Sequence, residues 1–113
     1  MSYTPRYERF EAVGPSGQRY TAEFVRAGFL AQGDQPELYF FRVSGEESVV
    51  GISGASLARY QRGRRYLTRE EKIDLAGRWL KQQIEAGVAL ESRNLYLQNG
   101  ELAGLAGDLG FAK

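Results

Sequence analysis

Residues 37–50, "ELYFFRVSGEESVV", decide the fold class of this chain. Leu38, Tyr39, Phe40, Phe41 and Val43 are strong β-formers in close succession, apolar enough for a central strand. The following "SGEE" (44–47) has the residues of a turn, and "SVVGIS" (48–53) supplies a short further strand. The stretch therefore predicts two strands joined tightly, with no room for a helix.

Working back from it, "AQGDQP" (31–36) is a loop by composition. Before that, "QRYTAEFVRAGFL" places Tyr20, Ala22 and Phe24 on one face of a strand and Thr21, Glu23 and Val25 on the other. "RYERFEAV" (6–13) alternates in the same manner, and "GPSG" (14–17) is the turn between the two. Successive strands with short connections favour an antiparallel meander.

Forward of residue 52 the period changes. Ser53 can cap a short helix over about residues 54–62, with Leu57 and Tyr60 on its buried side and Gly63 at its C-terminal end. "TREE" (68–71) is a capping box, in which Thr68 accepts from the Glu71 backbone while the Glu71 carboxylate reaches back. The helix it opens carries Ile73, Ala76, Leu80 and Ile84 in one stripe, widened by Leu75 and Trp79, and stops at Gly87. Such a stripe suits a helix laid across a sheet. "NLYL" (94–97) could add a fifth strand, and "ELAGLAGDLG" (101–110) is either a short helix or a loop. The expectation is one α+β domain over residues 1–113: an antiparallel sheet of four to five strands in the N-terminal half, from residues 3 to 52, packed on one face by two helices from 54 to 86.

Composition narrows the function. At 113 residues, 42% apolar and 26% charged, the chain is an ordinary soluble globular protein, of bacterial type and expected in the cytoplasm, since neither a leader nor a membrane-spanning run is visible. Cysteine and histidine are both absent. Thiolate chemistry, the usual neutral-pH base and the commonest transition-metal ligands are thereby excluded. No cofactor or metal is expected, and no catalytic residue can be named. "GISGA" (51–55) approaches a nucleophile elbow, but its last position is Ala55 and no histidine exists to activate Ser53, so Ser53 reads as a helix cap. The adjacent acids Glu46 with Glu47 and Glu70 with Glu71 diverge instead of converging on a metal. Gly104, Gly107 and Gly110 lack a dinucleotide or P-loop fingerprint and read as close packing of a short terminal helix.

The unusual stretch is "RYQRGRRY" (59–66), with four arginines, two tyrosines and no acid in eight residues. Net charge is +1, so the remainder of the chain sums to about −3 and the basic character is local. From Gly51 to Leu80 the chain reads "GISGASLARYQRGRRYLTREEKIDLAGRWL", which resembles the third and fourth helices of the Cro and phage-repressor type of helix-turn-helix domain. Arg62, Gly63, Thr68, Leu75, Ala76 and Leu80 stand where that pattern puts them. The resemblance implies that Gly54, Ala55, Ser56 and Arg59 face base edges and that Arg62, Arg64 and Arg65 meet phosphates. The same residues also fit a corner between two capped helices, with cations near a helix C-terminus and arginines lying over Tyr60 or Tyr66 or pairing with Glu46, Glu47 or Asp74.

The functional expectation is a non-catalytic binding or assembly module, taking a protein partner or a second copy through a sheet edge or the aromatic strand Leu38 to Val43. The alternative is nucleic-acid binding at the corner. Under either reading the candidate contacts are Arg59, Arg62, Arg64, Arg65, Tyr60 and Tyr66, with no membrane involved. An enzyme built on carboxylates or tyrosine ranks third; its structural clue would be two acids, or an acid and a tyrosine, in hydrogen-bond reach.

Overall fold

The computed structural model describes residues 6–29, 36–63, 66–87, 96–97 and 99–110. Four strands form an antiparallel meander: β1 (Arg9–Val13), β2 (Arg19–Phe29), β3 (Glu37–Val43) and β4 (Glu46–Ile52). Helices α1 (Gly54–Gln61) and α2 (Arg69–Glu85) follow, then the two-residue β5 (Tyr96–Leu97) and α3 (Asn99–Asp108). The chain is α+β, with its four antiparallel strands ahead of its helices as the sequence predicts.

The β3–β4 turn is as tight as "SGEE" implies. Ser44 (φ 49°) and Gly45 (φ 89°) both occupy left-handed backbone, the two-residue geometry whose twist matches a hairpin. Glycine does this freely, whereas Ser44 is held there by β2, its amide donating to the Thr21 carbonyl (2.9 Å) and its Oγ accepting from the Thr21 amide (3.3 Å). Strand β4 consequently starts at Glu46, two residues before the strand expected from Ser48.

The sheet departs from expectation in three places. First, residues 6–7 leave it, because their amides are taken by the Asp74 carboxylate on α2 and not by a neighbouring strand, whereas the Glu8 carbonyl still accepts from the Phe24 amide of β2 (2.7 Å); residues 3–5 of the expected sheet lie outside the described residues. Second, the β2–β3 register slips between Phe24 and Arg26, making Val25 an extra residue that reverses which face each side chain occupies. Third, β5 pairs with β4 in parallel, a direction open to it because helices intervene between the two strands. Strand order β1-β2-β3-β4-β5 also puts β3 between two partners. The aromatic strand Leu38 to Val43 therefore offers no free edge for a second copy; β1, bearing Arg9 and Glu11, is the edge strand on that side.

One sheet face is the core. Ala12, Ala22, Tyr39, Phe41, Val43, Val50 and Ile52 are buried there beneath the helices. The α2 stripe of Ile73, Ala76, Leu80 and Ile84 is buried as predicted, together with Leu75 and Trp79. Residues 73–77 are in fact buried at every position, since α2 runs between the sheet, the 6–8 segment and α3. Complete burial of a side chain such as Leu75 or Leu80 contributes about 2 kcal/mol. Helix α3 adds a third covering element beyond the two expected, burying Leu102, Leu105 and Ala106 at helical spacing, with Leu109 buried just past its end. Its glycines do not serve close packing, because Gly104 and Gly107 face solvent and a Cβ at either would meet nothing within 4 Å.

Candidate functional site

The α1–α2 corner is built from local signals. Ser53 Oγ accepts from the Ser56 amide (3.2 Å) and starts α1; Gly63 (φ 75°) follows the C-cap Arg62, where the left-handed conformation ends the helix. Past the corner, the Leu67 amide donates to Gln61 Oε1 (2.8 Å) and buried Leu67 anchors the chain before α2. The capping box closes as predicted, with the Glu71 amide donating to Thr68 Oγ1 (3.2 Å) and the Thr68 amide to Glu71 Oε1 (2.9 Å).

This scaffold divides the candidate contacts. Arg59 and Arg62 are exposed, and Tyr66 is 81% exposed. Tyr60, only 6% exposed, joins Leu57 in the core, which settles it as a packing residue and removes it from the contact surface. Arg64 and Arg65 lie outside the described residues. Among the described residues, neither Arg59 nor Arg62 has a carboxylate within ion-pair distance. Glu47 instead meets Arg26, and Asp74 serves the backbone of residues 6–7.

The open sheet face treats its arginines differently. Glu23 sits between Arg9 and Arg42 (3.9 Å to Arg42), Arg26 meets Glu47 at 3.0 Å, and the Arg26 guanidinium lies 4.0 Å above the Phe40 ring. These three arginines are matched by acids on other strands, while Arg19 at the start of β2 has no ion pair among the described residues.

The helix-turn-helix resemblance is corrected by what precedes the corner. Gly51 lies in β4, paired with Leu38, and the residues before it form β3 and β4 where the family has two helices. β-branched and aromatic residues closed by a two-residue turn make a hairpin, and no helical pair can form from them. Of the residues the resemblance aims at bases, Ser56 is buried at 9% exposure, whereas Ala55 and Arg59 are exposed.

The acid–tyrosine clue for an enzyme is present in one place. Tyr39 donates to Glu37 Oε1 (2.8 Å), and Lys72 Nζ donates to both oxygens of the same carboxylate (3.1 and 3.2 Å). Tyr39 is 2% exposed, and burial first, then the bond to Glu37 and that carboxylate's charge, hold its proton far more tightly than in free tyrosine. The trio satisfies itself and ties β3 to α2. A cleft of about 340 Å³ opens elsewhere, lined by Arg6, Glu8, Arg9, Glu23 and Phe24, all but Phe24 charged and none of them part of the trio. Among the described residues, no three acids converge to hold a metal ion.

Sequence reasoning missed a second constellation. Asp74, 0% exposed, accepts from the amides of Arg6 (3.0 Å) and Tyr7 (2.6 Å), while Arg78 Nη1 donates to the Tyr7 hydroxyl (3.0 Å). The available signal was Asp74 itself, an acid flanked by Ile73 and Leu75 inside the apolar stripe.

No helix among the described residues is long and apolar enough to cross a membrane. Compared with protein-family models, with curated proteins and with solved structures, the chain matches none.

Proposed function

We propose that this chain is a non-catalytic binding module that engages an anionic partner through the α1–α2 corner, an acidic protein surface being the partner that fits best. One observation carries the reading: Arg59 and Arg62 stand exposed, three residues apart, with no carboxylate in ion-pair reach among the described residues, whereas Arg9, Arg26 and Arg42 of the sheet each have one. The helix dipole accounts for a cation or two in the last turn of α1, and its influence fades beyond that turn. Two further arginines follow at 64 and 65. Four positive charges within residues 59–65, a stretch of sequence that holds no acid, raise the encounter rate with a negative surface and select against basic ones.

A second reading, nucleic-acid binding, is favoured by Tyr66, which follows the arginines in sequence and whose ring, 81% exposed, is of the kind on which an unpaired base stacks. One titration series tests both. Fluorescent poly-glutamate, single-stranded and duplex oligonucleotides are titrated with wild type, with Arg59→Ala/Arg62→Ala and with Tyr66→Ala across a salt series. Binding of poly-glutamate, weakened by salt and by the arginine substitutions but indifferent to Tyr66→Ala, supports the acidic-protein reading. Preference for single strands, lost in Tyr66→Ala, supports the second. Absence of binding to every probe at low salt overturns both.

A further inference from the structure

Strand β1 is an edge of the sheet, and among the described residues it pairs with β2 alone. The phase of that ladder fixes what its free side offers. The Phe24 amide donates to the Glu8 carbonyl (2.7 Å) and the Gly14 amide to the Gln18 carbonyl (2.8 Å), so the even-numbered residues turn their backbone groups toward β2. The amides and carbonyls of Arg9, Glu11 and Val13 therefore point away from the sheet, a row of donors and acceptors able to receive another strand. Their side chains share the open face and are exposed. Arg9 reaches Glu23 of β2, whereas Glu11 makes no ion pair or hydrogen bond among the described residues. On the other face Phe10 is only partly covered by the core.

We propose that β1 is a self-association edge: β1 of a second copy adds to it antiparallel, with Arg9 opposite the second copy's Glu11, and joins two sheets into one across a two-fold axis at Phe10. Charge selects both the occupant and the register. Outward residues pair only with outward residues, so neighbouring registers differ by a shift of two residues. On one side of the proposed register Arg9 faces Arg9, and on the other Glu11 faces Glu11. Like charges directly opposite destabilise a strand pair, whereas opposite charges stabilise it. Within Arg9–Val13 only the register between these sets acid against arginine, and the two-fold axis does so at both ends. Arg9-Phe10-Glu11 is thus complementary to its own reverse. The pairing gives Glu11 a cation and brings the two Phe10 rings together at the central, closely spaced pair, where each covers what its own core leaves open. It also closes, since each copy spends its β1 edge and growth stops at two copies. The edge is short, so association is weak and shows at high protein concentration. It stands apart from the anionic-partner reading, because neither Arg9 nor Glu11 lies at the α1–α2 corner.

Charge exchange in the full-length chain tests the register. Wild type is expected to show a monomer–dimer equilibrium in sedimentation runs reaching near-millimolar concentration. Arg9→Glu and Glu11→Arg each set like charges opposite one another and should each weaken dimerisation severalfold. Their mixture should restore it, because two carboxylates of one chain then face two guanidiniums of the other, and native mass spectrometry resolves the mixed-mass dimer. A mixture that associates no better than either variant alone overturns the proposal, as does a wild type that stays monomeric. A further variant covers the case in which Arg9→Glu, which also loses its bond to Glu23, does not fold. Glu11→Pro removes an outward amide that the β1–β2 ladder does not use, and should abolish the dimer while circular dichroism shows the fold retained. A dimer that persists in Glu11→Pro overturns the proposal, and its loss in Arg59→Ala/Arg62→Ala instead would assign self-association to the corner.

Discussion

Along α2 and at its entrance, charge is used in two different ways. Asp74 and Glu71 are buried and hydrogen-bonded to backbone amides, and the Glu37–Lys72 pair, with side chains 20% and 19% exposed, is bridged to Tyr39. A few residues earlier, Arg59 and Arg62 stand in solvent with no acid in reach among the described residues. The inner charges tie α2 to residues 6–7 and to β3, so their partners lie within the fold. The outer charges satisfy nothing within the described chain, so their reason is to be sought outside it. Substitutions should therefore separate the two groups by their effect on stability.

The largest effect is expected at Asp74. Asp74→Ala leaves the amides of Arg6 and Tyr7 without their acceptor; hydrogen bonds to a charged group contribute about 1.5–3 kcal/mol each, and the two are not additive, so a loss of about 3 kcal/mol is expected. Urea denaturation measures it, with Asp74→Asn recovering part by keeping one acceptor. A neutral Asp74→Ala would dissolve the contrast at its strongest point.

Glycine substitutions sharpen the same contrast by changing sign. Gly77→Ala forces a methyl group into the Tyr7 backbone and should cost about 1–3 kcal/mol even after the better helix propensity of alanine is counted. Gly104→Ala, on a helix position where a Cβ meets nothing within 4 Å, should gain up to about 1 kcal/mol. Thermal melts of the two variants should move in opposite directions.

These two residues also mark the limit of what could be read in advance. Ser53, Gly63 and the Thr68–Glu71 box were legible because a cap is settled within four residues of sequence, and the β-formers of 37–50 because alternation and turn chemistry are equally local. The roles of Asp74 and Gly77 depend on residues 67 or more positions away, and nothing in the helix pattern states which segment will arrive there. The Val25 bulge is hidden for a related reason: it changes the β2–β3 register without leaving a glycine or proline at the site. The corner lies between these cases. Its caps were legible, Tyr60 was correctly placed beside Leu57 on the buried side of α1, and the same residue was also offered as a contact, which its burial excludes.

A smaller effect is expected at Tyr39. Tyr39→Phe removes the bond to Glu37 and should cost about 1 kcal/mol at neutral pH. The pH dependence has a definite sign. Folding raises the Tyr39 pKa, so below about pH 10 both states keep the proton and stability is unaffected; above it the unfolded chain loses the proton first and stability falls. Urea midpoints between neutral and strongly alkaline pH should therefore decline less steeply in Tyr39→Phe than in wild type. An identical alkaline limb would mean that the inner network does not depend on a neutral Tyr39.

The smallest effect on stability, and the most informative, is expected at the corner. Arg59→Ala/Arg62→Ala removes two exposed charges that make no ion pair among the described residues, so its unfolding free energy should stay within about 0.5 kcal/mol of wild type. Alanine favours the helix interior at 59, while Arg62 lies at the cap, where a cation gives back only a few tenths of a kcal/mol through the dipole. The same double variant should bind an anionic probe more weakly, with a shallower dependence of log affinity on log salt, because fewer counterions are displaced per complex. Unchanged stability with weakened binding would assign these arginines to a partner. The reverse outcome, a loss of more than about 1 kcal/mol with binding intact, would place them among the charges that hold the fold, and the difference between the two regions would disappear.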